Sequence, residues 1–185
     1  IVDKFDIKNT IKDEVSKFVS LDKSVDGGSL SIQNMTRNLE SLHSACEYIT
    51  TADNERIIIA ITEFLVNNKE KLCKDDSDSI FGGLRIFTNQ FYNQIYRYIK
   101  SVMDWKAIRV DIIDNFVSII MELGSYHLKH LSIMSLLLPY SRILKTSTLI
   151  ALLENHLFSS NAIIRNDATN ALVVLAENNV GIQKL

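Results

Sequence analysis

The chain has 185 residues, 46% of them hydrophobic and 23% charged, yet only six glycines and one proline. Average usage lies near ~7% Gly and ~5% Pro. Sandwiches and barrels need a turn roughly every 8–12 residues, and doubly wound sheets need glycine at their turns, so those classes are excluded and a nearly all-helical chain is expected. Twenty Lys+Arg against 22 Asp+Glu leave a formal charge of −2. It is spread without a basic arm or an acidic tail, so general nucleic-acid attraction is not expected.

In chain order, residues 3–21 carry Phe5, Ile7, Ile11, Val15, Phe18 and Val19 at helical spacing. The stretch 25–29, with Gly27 and Gly28, reads as a loop. Ser31 then stands as an N-cap before Ile32, Met35, Leu39, Leu42, Cys46 and Ile49, which step by three and four. Asp53 is read as the cap of a third helix burying Ile57, Ile58, Ile59, Ile61, Phe64 and Leu65, with 67–71 leaving the core. The polar run KDDSDS at 74–79 is the expected exposed linker.

Gly82 and Gly83 precede a long helix running to Val102. Asp104 is read as the cap of a helix over 105–123 that stops at Gly124. A further helix is expected over 125–138 before Pro139, then short helices over 139–145, 147–158 and 162–178, the last capped by Ser160 or Asn161.

Two cysteines, Cys46 and Cys73, form no CxxC pair, and two reduced thiols in an intracellular protein are expected. No run of ~18 uncharged apolar residues exists, and the longest approach to one, 131–138, is too short to span a bilayer. No signal-peptide core is visible. Beginning at Ile1 rather than Met, the chain reads as a fragment of something larger. A cytoplasmic location is expected, with the nucleus left open.

One internal match stands out. Ala107-Ile108-Arg109-Val110-Asp111 precedes Ile163-Ile164-Arg165-Asn166-Asp167 by 56 residues, and the match continues from Phe116 to Leu172 and from Ile119 to Leu175. A repeated helix pair cannot bury its apolar face alone, so stacked neighbours supply the core. At the C-terminal end, 139–179 opens at Pro139 and closes at Asn179 as short helix, helix, sharp turn and longer helix. It carries Leu149, Ile150, Leu152 and Leu153 on one helix and Ile164, Ala168, Ala171, Leu172 and Leu175 on the next. This stretch resembles one armadillo repeat. The resemblance implies an α-solenoid of armadillo/HEAT-like stacked helices, about eight in all, forming a single domain over 1–185.

Chemical constellations are sparse. His127 and His130 stand at i, i+3 without a third ligand, and read as a solvent-facing pair. His43 and Cys46 read as an inert thiol beside an imidazole. Gly82-Gly83 lacks the Lys-Ser/Thr of a phosphate loop, Asp75, Asp76 and Asp78 lack the rest of a calcium loop, and Asn34-Met35-Thr36 is a chance sequon. No nucleophile elbow, metal set or cofactor fingerprint is present, so no enzyme, metal or cofactor is expected.

The helix near 80–102 carries a second stripe: Arg85, Asn89, Tyr92, Tyr96 and Lys100, with Trp105 at the start of the next helix. Arg and aromatic residues are enriched in binding hot spots, so these six are the expected partner contacts. The expected function is a non-catalytic scaffold or adaptor presenting this surface to another protein or peptide segment. The alternative is a compact structural subunit or homodimer using the apolar face of 128–138.

Overall fold

The computed structural model describes residues 4–21, 23, 30–72, 82–124 and 129–178, with the side chains of 5 and 82–85 set aside. Among the described residues there are eight α-helices, two single 3-10 turns and no strand. The helices are α1 (Lys4–Val19), α2 (Leu30–Ser44), α3 (Thr51–Leu72), α4 (Gly82–Ser101), α5 (Val110–Leu123), α6 (His130–Leu137), α7 (Thr146–Leu157) and α8 (Ala162–Glu177). The 3-10 turns cover Cys46–Tyr48 and Trp105–Ala107. The linker expected at 74–79 and the glycine loop at 25–29 lie outside the described residues.

Contacts between helices skip one. α1 packs on α3 and α3 on α5, while α2 packs on α4, α4 on α6 and α6 on α8. Contacts of α1 with α2, α5 with α6, and α7 with both α6 and α8 join the two series. Two polar links fix the direction of α3 against α5. Glu55 accepts from the Arg109 backbone N–H at 2.9 Å, and Lys69 donates to Glu122 at 2.8 Å. These pairs are 54 and 53 residues apart. Separated by about 20 Å of helix at 1.5 Å per residue, they make the two helices parallel.

The expected stripe on α2 is buried at Ile32, Met35, Leu39 and Leu42, but the helix ends before Cys46, which is half-buried and unpaired to any sulfur. α6 is the innermost element, with seven of its eight residues buried. A helix enclosed on all sides needs no charged face, and the polar side chains of 131–138 are two buried serines, Ser132 and Ser135.

Helix boundaries differ from expectation where a neighbour takes over. Thr50, not Asp53, starts α3: its Oγ1 accepts from the Asp53 N–H at 3.2 Å, while buried Asp53 pairs with Arg56. Ile59, expected inside with Ile57 and Ile58, is instead exposed, while Asn68 keeps the end of α3 in the core by donating to the carbonyls of Phe64 and Lys23. Asp104 makes no capping bond, and the helix expected over 105–123 breaks into a 3-10 turn followed by α5. The break allows the Trp105 indole to turn inward and donate to the Ile99 carbonyl at 3.2 Å. Residues 139–145 form a turn and extended link rather than a helix, because Asp114 of α5 captures the Ser141 hydroxyl and the Arg142 N–H.

Two expected boundaries agree with the structure. Gly124 closes α5 at φ +65°, a left-handed conformation that glycine adopts without a Cβ penalty. Asn161 caps α8 by accepting from the Ile163 N–H at 2.9 Å.

Phe64 of α3 meets Phe91 of α4 edge-on at 5.3 Å between ring centres, and both are buried. Phe64→Ala is expected to cost about 3–5 kcal/mol in urea unfolding. Phe158→Ala, at a side chain 89% exposed, should stay within about 0.5 kcal/mol of the parent.

Candidate functional site

α4 contains the stripe proposed for partner contact, and it packs against both α2 and α6. Flanked in this way, it buries Phe91, Tyr92, Ile95, Tyr96, Tyr98 and Ile99, most of the helix circumference. Tyr92 is fully buried and Tyr96 is 8% exposed. Lys129 places its ammonium 5.2 Å from the Tyr96 ring centre, and Asn170 of α8 reaches toward the Tyr96 hydroxyl at 3.5 Å. Trp105 is also interior, stacked on Tyr140 with ring centres 6.1 Å apart.

Asn89 is half-buried and engaged within the chain. Lys100 is exposed, and the side chain of Arg85 lies outside the described residues. The aromatic members of the expected contact set are therefore core residues, and an exposed tyrosine face on α4 is not what the chain builds. The reason is packing from both flanks, which a single-helix periodicity does not register.

The accessible stripe lies about one residue round the helix. Ile86 (60% exposed), Gln90, Arg97 and Lys100 face solvent with half-buried Asn93 among them, stepping by four, three, four and three. Its sequence signal is the set of polar positions left once a second buried flank is allowed for.

Polar chemistry in the interior is concentrated in carboxylates that cross between helices. Asp167 of α8 is buried beneath the start of α6. It accepts from the Leu131 N–H at 2.8 Å, the Ser132 N–H at 3.3 Å and the Ser132 hydroxyl at 2.6 Å. Burial pushes its carboxyl above the usual range, against the opposing pull of those three hydrogen bonds and of Lys129. Asn170 donates to the Ser132 oxygen at 2.9 Å and completes the cluster. The residue before α6, Lys129, sits at φ +68° without a side-chain cap of its own. Asp167 supplies that cap from another helix, so the cluster builds a helix start.

The 56-residue sequence match pairs Asp167 with Asp111, but Asp111 is exposed. Buried Asp114 performs the comparable task in α5, holding the Ser141 hydroxyl at 2.9 Å, the Arg142 N–H at 2.9 Å and the Arg142 Nε at 3.1 Å. Burial alone would raise the Asp114 carboxyl; the bonds from Arg142 and Ser141 outweigh it and hold the group below the usual range. Burial, then the nearby Asp53 charge, pushes the Tyr98 hydroxyl far above its ordinary value, and it donates to Asn54 of α3.

His130 is buried inside α6 rather than solvent-facing, and His127 lies outside the described residues, as do Cys73, Asp75, Asp76 and Asp78. Among the described residues no group of three or more His, Cys, Asp or Glu is placed to hold a metal ion. No described helix is long and apolar enough to cross a membrane. Comparison with family models, curated proteins and solved structures finds no match.

The depressed Asp114 carboxyl has a definite pH signature. Its folded value lies below the unfolded value near ~3.9, so its contribution is fully present above that value and is lost as pH falls through the folded one. Asp114→Asn should remove that acid-side dependence from urea midpoints taken between about pH 7 and about pH 2. It should also cost about 1–3 kcal/mol at neutral pH. An unchanged acid slope would show that Asp114 is not held in this way.

Proposed function

We propose that the chain is a non-catalytic protein-interaction scaffold, an armadillo/HEAT-like α-solenoid that presents a helical surface to a partner segment. The observation that carries this reading is the skip-one contact pattern, together with the parallel α3–α5 pairing offset by 53–54 residues. Helix pairs stacked in parallel on the pairs before and after them bury a face that none buries alone. Of the C-terminal pair that resembles an armadillo unit, α8 continues the series by packing on α6, while α7 packs on α6 and α8 in place of α5. Ala168 and Ala171 of α8 are fully buried, and their small side chains permit close helix approach.

The partner surface is the accessible stripe of α4, Ile86, Gln90, Asn93, Arg97 and Lys100, in place of the interior tyrosines. A second reading, a structural subunit that self-associates, is favoured by exposed Phe158, Ile163 and Val173 at the α7–α8 end. The face of 128–138 is unsuited to it, since the described part of that segment is enclosed by α4, α5, α7 and α8.

Nearest-neighbour stacking gives a local response to damage. Leu149→Ala, at a fully buried position in α7, should cost about 2–5 kcal/mol. Hydrogen exchange should show lost protection in α7 and α8 while α1 and α2 keep theirs; uniform loss along the chain overturns the repeat reading. For the scaffold reading, the immobilised chain should retain a protein stoichiometrically and release it to free chain. Absence of any stoichiometric partner overturns it.

A further inference from the structure

The balanced net charge conceals a strongly uneven stretch. Residues 82–110 hold five basic residues, Arg85, Arg97, Lys100, Lys106 and Arg109, against one acidic residue, Asp104. α4 itself contains no acid. The next helix, α5, is the reverse, with Asp111, Asp114 and Glu122 and no base.

The cations of this region divide into two sets. On α3 and at the start of α5, Arg56, Lys69 and Arg109 are each committed to a carboxylate, at 3.1, 2.8 and 3.3 Å. Arg97, Lys100 and Lys106 are all exposed, and none of the three has a carboxylate partner among the described residues. Between Lys100 and Lys106 stands Met103, 83% exposed. Methionine is flexible and polarisable, suited to an adaptable contact. An apolar centre with a charged rim is the usual anatomy of a protein interface.

We propose that Arg97, Lys100, Met103 and Lys106, at the C-terminal end of α4, form a docking point for an acidic partner segment with an apolar residue among its Asp and Glu side chains. The proposal rests on the scaffold reading and supplies the chemistry of its partner. Three exposed cations against one exposed acid, Asp104, together with one apolar contact complement a short acidic peptide. A nucleic acid, extended and uniformly anionic, would meet a chain of net charge −2 beyond these three cations.

The test uses the full chain and a fluorescein-labelled peptide interspersing Glu and Asp with Leu and Phe, read by fluorescence anisotropy. A Lys/Arg counterpart, single-stranded oligo-U RNA and phosphatidylserine vesicles are the comparators. The acidic peptide should bind, and more weakly as salt rises. Arg97→Glu with Lys100→Glu should weaken it about tenfold or more. Met103→Ser should weaken it several-fold with little change in salt dependence. Lys4→Glu with Lys8→Glu, at exposed positions on α1, should leave it unchanged, with circular dichroism confirming that every variant keeps its helicity.

Failure of the acidic peptide to bind, insensitivity to the charge reversal, or tighter binding of the RNA or vesicles overturns the proposal. A stoichiometric partner whose capture survives Arg97→Glu with Lys100→Glu also removes this surface while leaving the scaffold reading in place.

Discussion

A carboxylate on one helix starts another. The eight-residue α6 lies where water does not reach, and its first N–H groups have no intrahelical partner. An interior helix start without acceptors would leave buried donors unmet, each at about 1–3 kcal/mol. Asp167 meets two of them from α8 and takes the Ser132 hydroxyl as well. α6 therefore depends on a residue some 36 positions further along the chain, and the innermost part of the fold is complete only when the last helix has docked.

The same device recurs in weaker form. Asp114 of α5 holds the link that follows α6, and Glu55 of α3 holds the start of α5. Each carboxylate joins an element to one that is not its immediate neighbour in sequence. With one proline and six glycines, the chain has few specialised turn residues to shape its links, and side chains from adjoining helices do that work. These acceptors also set direction and register, which apolar contact alone leaves loosely specified.

α4 is the element on which the architecture and the functional proposal meet. Helices on both flanks enclose its aromatic residues, leaving only a narrow solvent stripe. Tyr98 and Trp105 add directed polar contacts, to Asn54 and to the Ile99 carbonyl, that fix the C-terminal end of α4 against α3 and the following turn. A surface held this firmly loses little conformational freedom on binding, which favours recognition by a preformed face. Among the described residues the cations there have no carboxylate partner, whereas Arg56, Lys69 and Arg109 on the α3–α5 side do, and that same end of α4 is well anchored.

The all-helical class and several helix ends were legible from the sequence alone, because they depend on local chemistry. Apolar spacing marks Ile32, Met35, Leu39 and Leu42 on one face, Gly124 suits a left-handed residue, and Asn161 suits a cap. The partner surface was not legible in this way. Tyr92, Tyr96 and Trp105 have the composition of a contact site, but two packed flanks make them core, and periodicity along one helix cannot count its neighbours. Nor could spacing distinguish exposed Asp111 from buried Asp114, or show that Asp53 yields the start of α3 to Thr50. Local sequence determined which segments become helices; tertiary packing decided which side chains face water and which carboxylate each helix start receives, since both depend on residues distant along the chain.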